Sequence, residues 1–192
     1  MDITQLILDD HFEQRRQFAT IEQADGAGPV TLAVLWDRLA RFLEVHARAE
    51  EELFYPQLLR LGLITGRAGN TEDETLDAIG DHNEIRDAIA EVANHETGSQ
   101  GWLAAIAAVN VANGDHMAEE EREGLTDFRR AASLQLRHDL ALAFAAFEAR
   151  HFTGVDPVDQ DPAAYVRREE QTARAGLPSS SGALGIGSMK EL

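Results

Sequence analysis

The chain contains no cysteine, which excludes disulfides, thiolate metal sites and thiol nucleophiles and leaves imidazole and carboxylate as the donors for any metal. Positive charge is scarce: 17 Lys and Arg stand against 34 Asp and Glu, a formal net charge of −17. That field repels phosphate backbones and anionic lipid, so neither nucleic acid nor a membrane is expected as a partner. No apolar run approaches the roughly 20 residues that span a bilayer. The first ten residues lack the basic stretch of an export signal, and a cytoplasmic protein is expected. Strand-like alternation over four or more residues is missing, and so is any repeat of solenoid length.

What remains is helical periodicity in five stretches, predicting an all-α fold. The first helix runs from about Ile3 to Gln23 and stops at the Gly-rich turn ending in Pro29. A second runs from Pro29 to about Leu61, with Pro56 expected to kink its last turns. Thr71 and Glu74 have capping-box spacing and open a third helix that ends near His95 to Gly98. Ser99 or Gly101 opens a fourth, which weakens at Gly124, and a fifth stretch covers about Ala131 to His151. The expected division is a helical domain over 1–151 and an extended tail over 152–192, with a short helix near Tyr165 to Ala175 that packs on the bundle.

Four of these helices each turn one histidine towards the core. The first carries His11 in the stripe Ile3, Ile7, His11, Phe18; the third carries His82 in the stripe Leu76, Ile79, His82, Ile89. The second and fourth carry His46 and Glu50, and His116 and Glu120, each pair four residues apart on the apolar face. Counted from the shared loops, the four positions agree to within about one turn, roughly 6 Å. Four imidazoles and two carboxylates therefore meet in one layer, which is costly to bury unless a cation pairs them. Six ligands exceed the four of a closed zinc site and suit a dinuclear centre. The His-first order, with Glu at i+4, differs from the Glu-x-x-His of ferritin-like di-iron bundles.

The text Asp10-His11-Phe12, His46-x-x-x-Glu50-Glu51-Glu52-Leu53-Phe54-Tyr55-Pro56, Asp81-His82-Asn83 and His116-x-x-x-Glu120-Glu121 resembles the hemerythrin-like, or HHE cation-binding, family. The resemblance implies an antiparallel up-down four-helix bundle, here with an additional fifth helix and a C-terminal tail. It also implies two non-haem iron ions, oxo- or hydroxo-bridged, with Glu50 and Glu120 bridging and a pair of histidines on each metal. Oxygen-carrying members resemble His-x-x-x-His on the third helix, and the corresponding position here is Arg86. One imidazole is missing, which opens a coordination position and favours the ferric state. Chemistry on hydrogen peroxide, dioxygen or nitric oxide, catalase-like in the first case, is expected over oxygen carriage; an oxygen- or iron-sensing module without turnover is the alternative.

Tyr55 is an optional seventh ligand, because long helical side chains lean back towards the N-terminus and its phenol can reach the layer of Glu50. No catalytic residue beyond the metal ligands is expected. His95, His138 and His151 fall outside the layer. The aspartates preceding His11, His82 and His116 face away from their own neighbours and are expected to stay out of the centre. The acidic run from Glu119 to Glu123, Glu120 apart, is expected to be a solvated face.

Overall fold

The computed structural model describes residues 1–24 and 26–177. Helix α1, Ile3–Gln23, starts at Asp2, whose carboxylate accepts the Thr4 N–H. Helix α2, Pro29–Ala49, passes through a π turn, Glu50–Phe54, into α3, Tyr55–Thr65. Helix α4 is Ala68–Val92 and α5 is Gln100–Arg122, the latter capped by Ser99, whose hydroxyl accepts the Trp102 N–H. Then follow α6, Gly124–Ala131, α7, Leu134–Arg150, and α8, Pro162–Ala175. Among the described residues there is no strand, and no helix is long and apolar enough to cross a membrane.

The α1, α2–α3, α4 and α5 rods form the antiparallel bundle; α7 packs on α1 and α2, and α8 on α3 and α4. Two apolar clusters fill it. One holds Ile3, Ile7, Phe54, Leu58, Ile79 and Phe128; the other holds Phe18, Ile21, Leu39, Ile85, Trp102 and Val109. On every rod the His and Glu positions fall between the two, so a polar layer is sandwiched between two greasy ones. Two details of the later helices differ from the sequence reading. The fourth helix buries Trp102 instead of Leu103, which is exposed. The chain beyond Gly124 forms its own short helix, α6, before α7 begins at the Ser133 cap. The expected tail beyond residue 177 lies outside the described residues.

The third helix begins three residues before the expected Thr71 cap. The Thr71 hydroxyl donates to the Ala68 carbonyl, and its side chain presses on Gly62 so closely that a Cβ there would sit 1.9 Å from the hydroxyl oxygen. Glycine at 62 lets α3 and α4 approach, and Gly66, with φ of +74°, supplies the left-handed turn between them.

At the second helix the structure replaces the expected Pro56 kink with the π turn. The Tyr55 N–H reaches back to the Glu50 carbonyl, five residues away. The next carbonyl, that of Glu51, would take the N–H of residue 56 in the same register, but proline has none. The Tyr165 hydroxyl of α8 donates to it instead. Tyr165 and Val166 are buried in the first apolar cluster, so α8 belongs to the core. Tyr165→Phe leaves the Glu51 carbonyl buried and unmatched and should lower the unfolding free energy by about 2 kcal/mol, measured by urea denaturation with circular dichroism. An unchanged midpoint would mean that water satisfies that carbonyl.

Candidate metal centre

Two histidine pairs face each other across the polar layer. The rings of His11 and His46 lie 5.2 Å apart, and those of His82 and His116 lie 4.6 Å apart. Glu50 spans both pairs: Oε1 is 2.9 Å from His46 Nε2 and Oε2 is 3.3 Å from His82 Nε2. Glu120 Oε2 is 3.4 Å from His11 Nε2, and the Tyr55 hydroxyl donates to Glu120 Oε1 at 2.9 Å. The structure thus brings together all six residues singled out in the sequence, with Tyr55 at their edge. His95 lies against Glu91, His138 against Met1 and His151 against Phe147, all away from this layer.

The π turn places two successive glutamates to use at once: Glu50 points inwards, and Glu51 reaches the outer nitrogen of His82 at 3.0 Å. The same arrangement recurs around the bundle. His11 Nδ1 meets Glu121 at 2.9 Å, His116 Nδ1 meets Asp81 at 3.3 Å, and His46 Nδ1 lies 3.4 Å from Asp10. Each histidine is therefore tied at Nδ1 by a carboxylate from another helix, which turns Nε2 to the centre. Two expectations are corrected here. Asp10 and Asp81 do turn away from their own neighbouring histidines, but a residue turned sideways on one helix faces the adjoining helix, and each meets the histidine there. Glu121 is likewise a partner of His11 and not part of a solvated face. The signal was in the sequence: a carboxylate adjoins His11, Glu50, His82 and Glu120. Glu148 of α7, also missed, stands behind His46 beside Asp10, and burial and that neighbour push its carboxyl up.

Arg86 occupies the position one turn beyond His82. It is buried, and its guanidinium donates to Glu44 and Glu51. Burial would raise the Glu51 carboxyl; the His82 hydrogen bond and charge, with Arg86, outweigh it and hold the group at about 2. Burial lowers His82, but Glu50 and Glu51 lift it to about 9. The carboxylates around His11 and His46 likewise outweigh burial and favour their protonated forms, and a metal would displace such protons.

The residues fit a metal. His11 Nε2, His46 Nε2, both Glu50 oxygens and Glu120 Oε2 are buried without a hydrogen-bond partner among the described residues. His11, His46 and Glu50 converge on one point, and Glu50, His82 and His116 on a second. Five unmatched donor atoms in an apolar interior are costly unless something binds them. The sequence of residues 2–128 matches the Hemerythrin HHE cation binding domain. The chain belongs to this family. Membership carries metal binding, typically of iron, with small molecules such as dioxygen as ligands. No curated protein and no solved structure matches the chain. The matched stretch of this hemerythrin-type chain holds all four histidines and both glutamates, while α7 and α8 lie beyond it.

Arg86→Met removes a buried cation from between two carboxylates and should destabilise the metal-free protein by about 3 kcal/mol. Adding Glu44→Gln should recover part of this. Urea denaturation of the single and double variants measures both; a single-variant loss below about 1 kcal/mol would show the pair to be effectively solvated.

Proposed function

We propose that this protein holds a non-haem di-iron centre and disproportionates hydrogen peroxide to water and dioxygen. The observation that carries the reading is Glu50, whose two buried oxygens each face a different histidine pair. His11 and His46 would hold one iron and His82 and His116 the other, with Glu50 bridging and Glu120 completing the set. The metals would supply the reversible two-electron exchange that turns two peroxides into two waters and one dioxygen. The chain's own groups prepare the site. Nδ1–carboxylate pairs fix the four imidazoles, and Leu39, Ile85 and Val109 on one side and Ile7, Phe54 and Ile79 on the other restrict water around the layer.

Arg86 supports turnover over carriage. Where oxygen-carrying hemerythrins resemble a second histidine, this guanidinium is held by Glu44 and Glu51, so the layer offers one nitrogen fewer. Tyr55 belongs to the same proposal: its phenol, kept protonated by burial and by Glu120 and Glu50, donates to Glu120 and can exchange that proton for an iron. Nitric oxide or dioxygen as the reacting molecule is part of the same reading. A sensing role without turnover draws support from the segment that leads into α8, since Gln160 donates to Glu51 and exchanges two hydrogen bonds with Asn83, tying the C-terminal segment to the layer. We further propose residues 1–151 as the metal-binding unit and residues 152–177 as its clasp.

The iron-loaded protein should contain about two irons per chain, release one dioxygen per two peroxides consumed, and show a visible phenolate-to-iron band that Tyr55→Phe abolishes. Glu50→Ala should retain at most one iron. Metal analysis giving one zinc and no iron, or peroxide consumption no faster than free iron, overturns the proposal; iron binding without turnover favours the sensor.

A further inference from the structure

A narrow cleft with a volume of about 30 Å³ opens between α4 and the junction of α5 and α6, and its lining includes Tyr55, His116 and Glu120. It therefore reaches from the surface to the polar layer. Its walls carry the carboxylates of Glu74, Asp77, Asp81, Glu119 and Glu123. No lysine or arginine lines it. Glu119 and Glu123 share Arg122, and Asp81 faces His116, but Glu74 and Asp77 make no ion pair among the described residues. Burial, with Asp127 and Glu123 nearby, raises the Glu74 carboxyl to about 7, and its Oε2 is buried without a hydrogen-bond partner. At the inner end stands Glu120, only 6% exposed, with Oε2 likewise unmatched. Between the two glutamates the wall is Gly124. A Cβ there would lie 3.6 Å from the Glu120 Cγ and 4.0 Å from Glu74 Oε2, so any larger side chain would extend into the passage. The apolar cleft at the other end of the bundle, around Phe18 and Leu32, touches none of the six candidate ligands.

We propose that this acidic cleft is the port through which a divalent cation, ferrous iron on the reading above, reaches the centre, and that the same carboxylates turn anions away. A negatively lined cleft with low-dielectric walls focuses its field and can raise the local concentration and arrival rate of a cation by about 10-fold or more, while lowering those of an anion. The Glu74 and Glu120 oxygens form successive stations along it, from half-exposed to buried. Neutral molecules such as peroxide pass unaffected by the charge. This inference rests on the di-iron reading, and the following experiment separates the two.

Ferrous iron uptake by the metal-free protein and azide binding to the iron-loaded protein are followed by stopped-flow absorbance. In the triple variant Glu74→Gln, Asp77→Asn, Glu123→Gln, iron uptake should slow about 10-fold at low salt and azide association should quicken severalfold, both differences shrinking as salt screens the field. Final iron content should match the wild type. Gly124→Val should slow both, because it narrows the passage without changing its charge. The triple variant Glu22→Gln, Glu96→Gln, Asp139→Asn neutralises three carboxylates at distant exposed positions and should change neither rate by more than about twofold. Should the cleft triple variant fold poorly, Glu74→Gln alone should move the two rates in the same opposite directions. The port is overturned if the cleft and distant variants behave alike, or if Gly124→Val leaves both rates unchanged. A wild-type chain that takes up no iron overturns the centre itself.

Discussion

Four pairs, each a buried imidazole and a carboxylate from another helix, hold this molecule in register, and they form a closed circuit. A carboxylate of α5 serves the histidine of α1, one of α1 serves α2, one at the end of α2 serves α4, and one of α4 serves α5. Every rod of the bundle both gives and receives. An imidazole or carboxylate taken alone into an apolar interior is strongly unfavourable, and only a matched set is tolerated there. Sliding one rod by a single turn, about 5.4 Å, would therefore strand four groups at once. The apolar clusters above and below supply cohesion but fix alignment weakly, since aliphatic side chains repack. Alignment comes from the polar layer.

The π turn between α2 and α3 is the local departure that makes the circuit possible, and it shows how a bond lost at one point is recovered at another. An uninterrupted helix would rotate Glu50 and Glu51 along the ordinary path; the wider turn lets the first face the centre and the second face His82. Its cost is a carbonyl at Glu51 that Pro56 cannot satisfy, and Tyr165 from a distant part of the chain satisfies it. Arg86 completes the arrangement by holding the Glu51 carboxylate while Gln160 holds its other oxygen.

Much of this was legible in the sequence, for definite reasons. His11, His46, Glu50, His82, His116 and Glu120 interrupt apolar stripes at helical spacing, and distances from shared loops that agree to within about one turn place them at one level. Their outer partners were not legible from the same rule. Residues adjoining on a helix point about 100° apart, so Asp10 or Glu121 is invisible to a test that asks what shares a face with its neighbour; it becomes meaningful only when the adjoining helix is known. The π turn leaves no periodic signature over its five residues, and Pro56 pointed to a kink because proline's missing donor has that effect in most helices. Thr71 and Glu74 suggested a helix start, but the close contact of Thr71 with Gly62 carries α4 past it, a tertiary effect that local spacing does not encode.

The packing of α7 and of the segment through α8 bears on what counts as the hemerythrin unit in this chain. Residues 2–128 hold every candidate ligand. Yet Phe144 packs against His46, Glu148 stands behind Asp10, and Gln160 and Tyr165 hold the two ends of Glu51. The segment that is inherited as a recognisable family and the segment that must fold together thus have different boundaries. A fragment cut to the first would keep the whole chemical vocabulary of the centre while exposing its scaffolding to water. For the same reason, transplanting the six ligands into another four-helix bundle would carry over the donors without the outside grip that aims them.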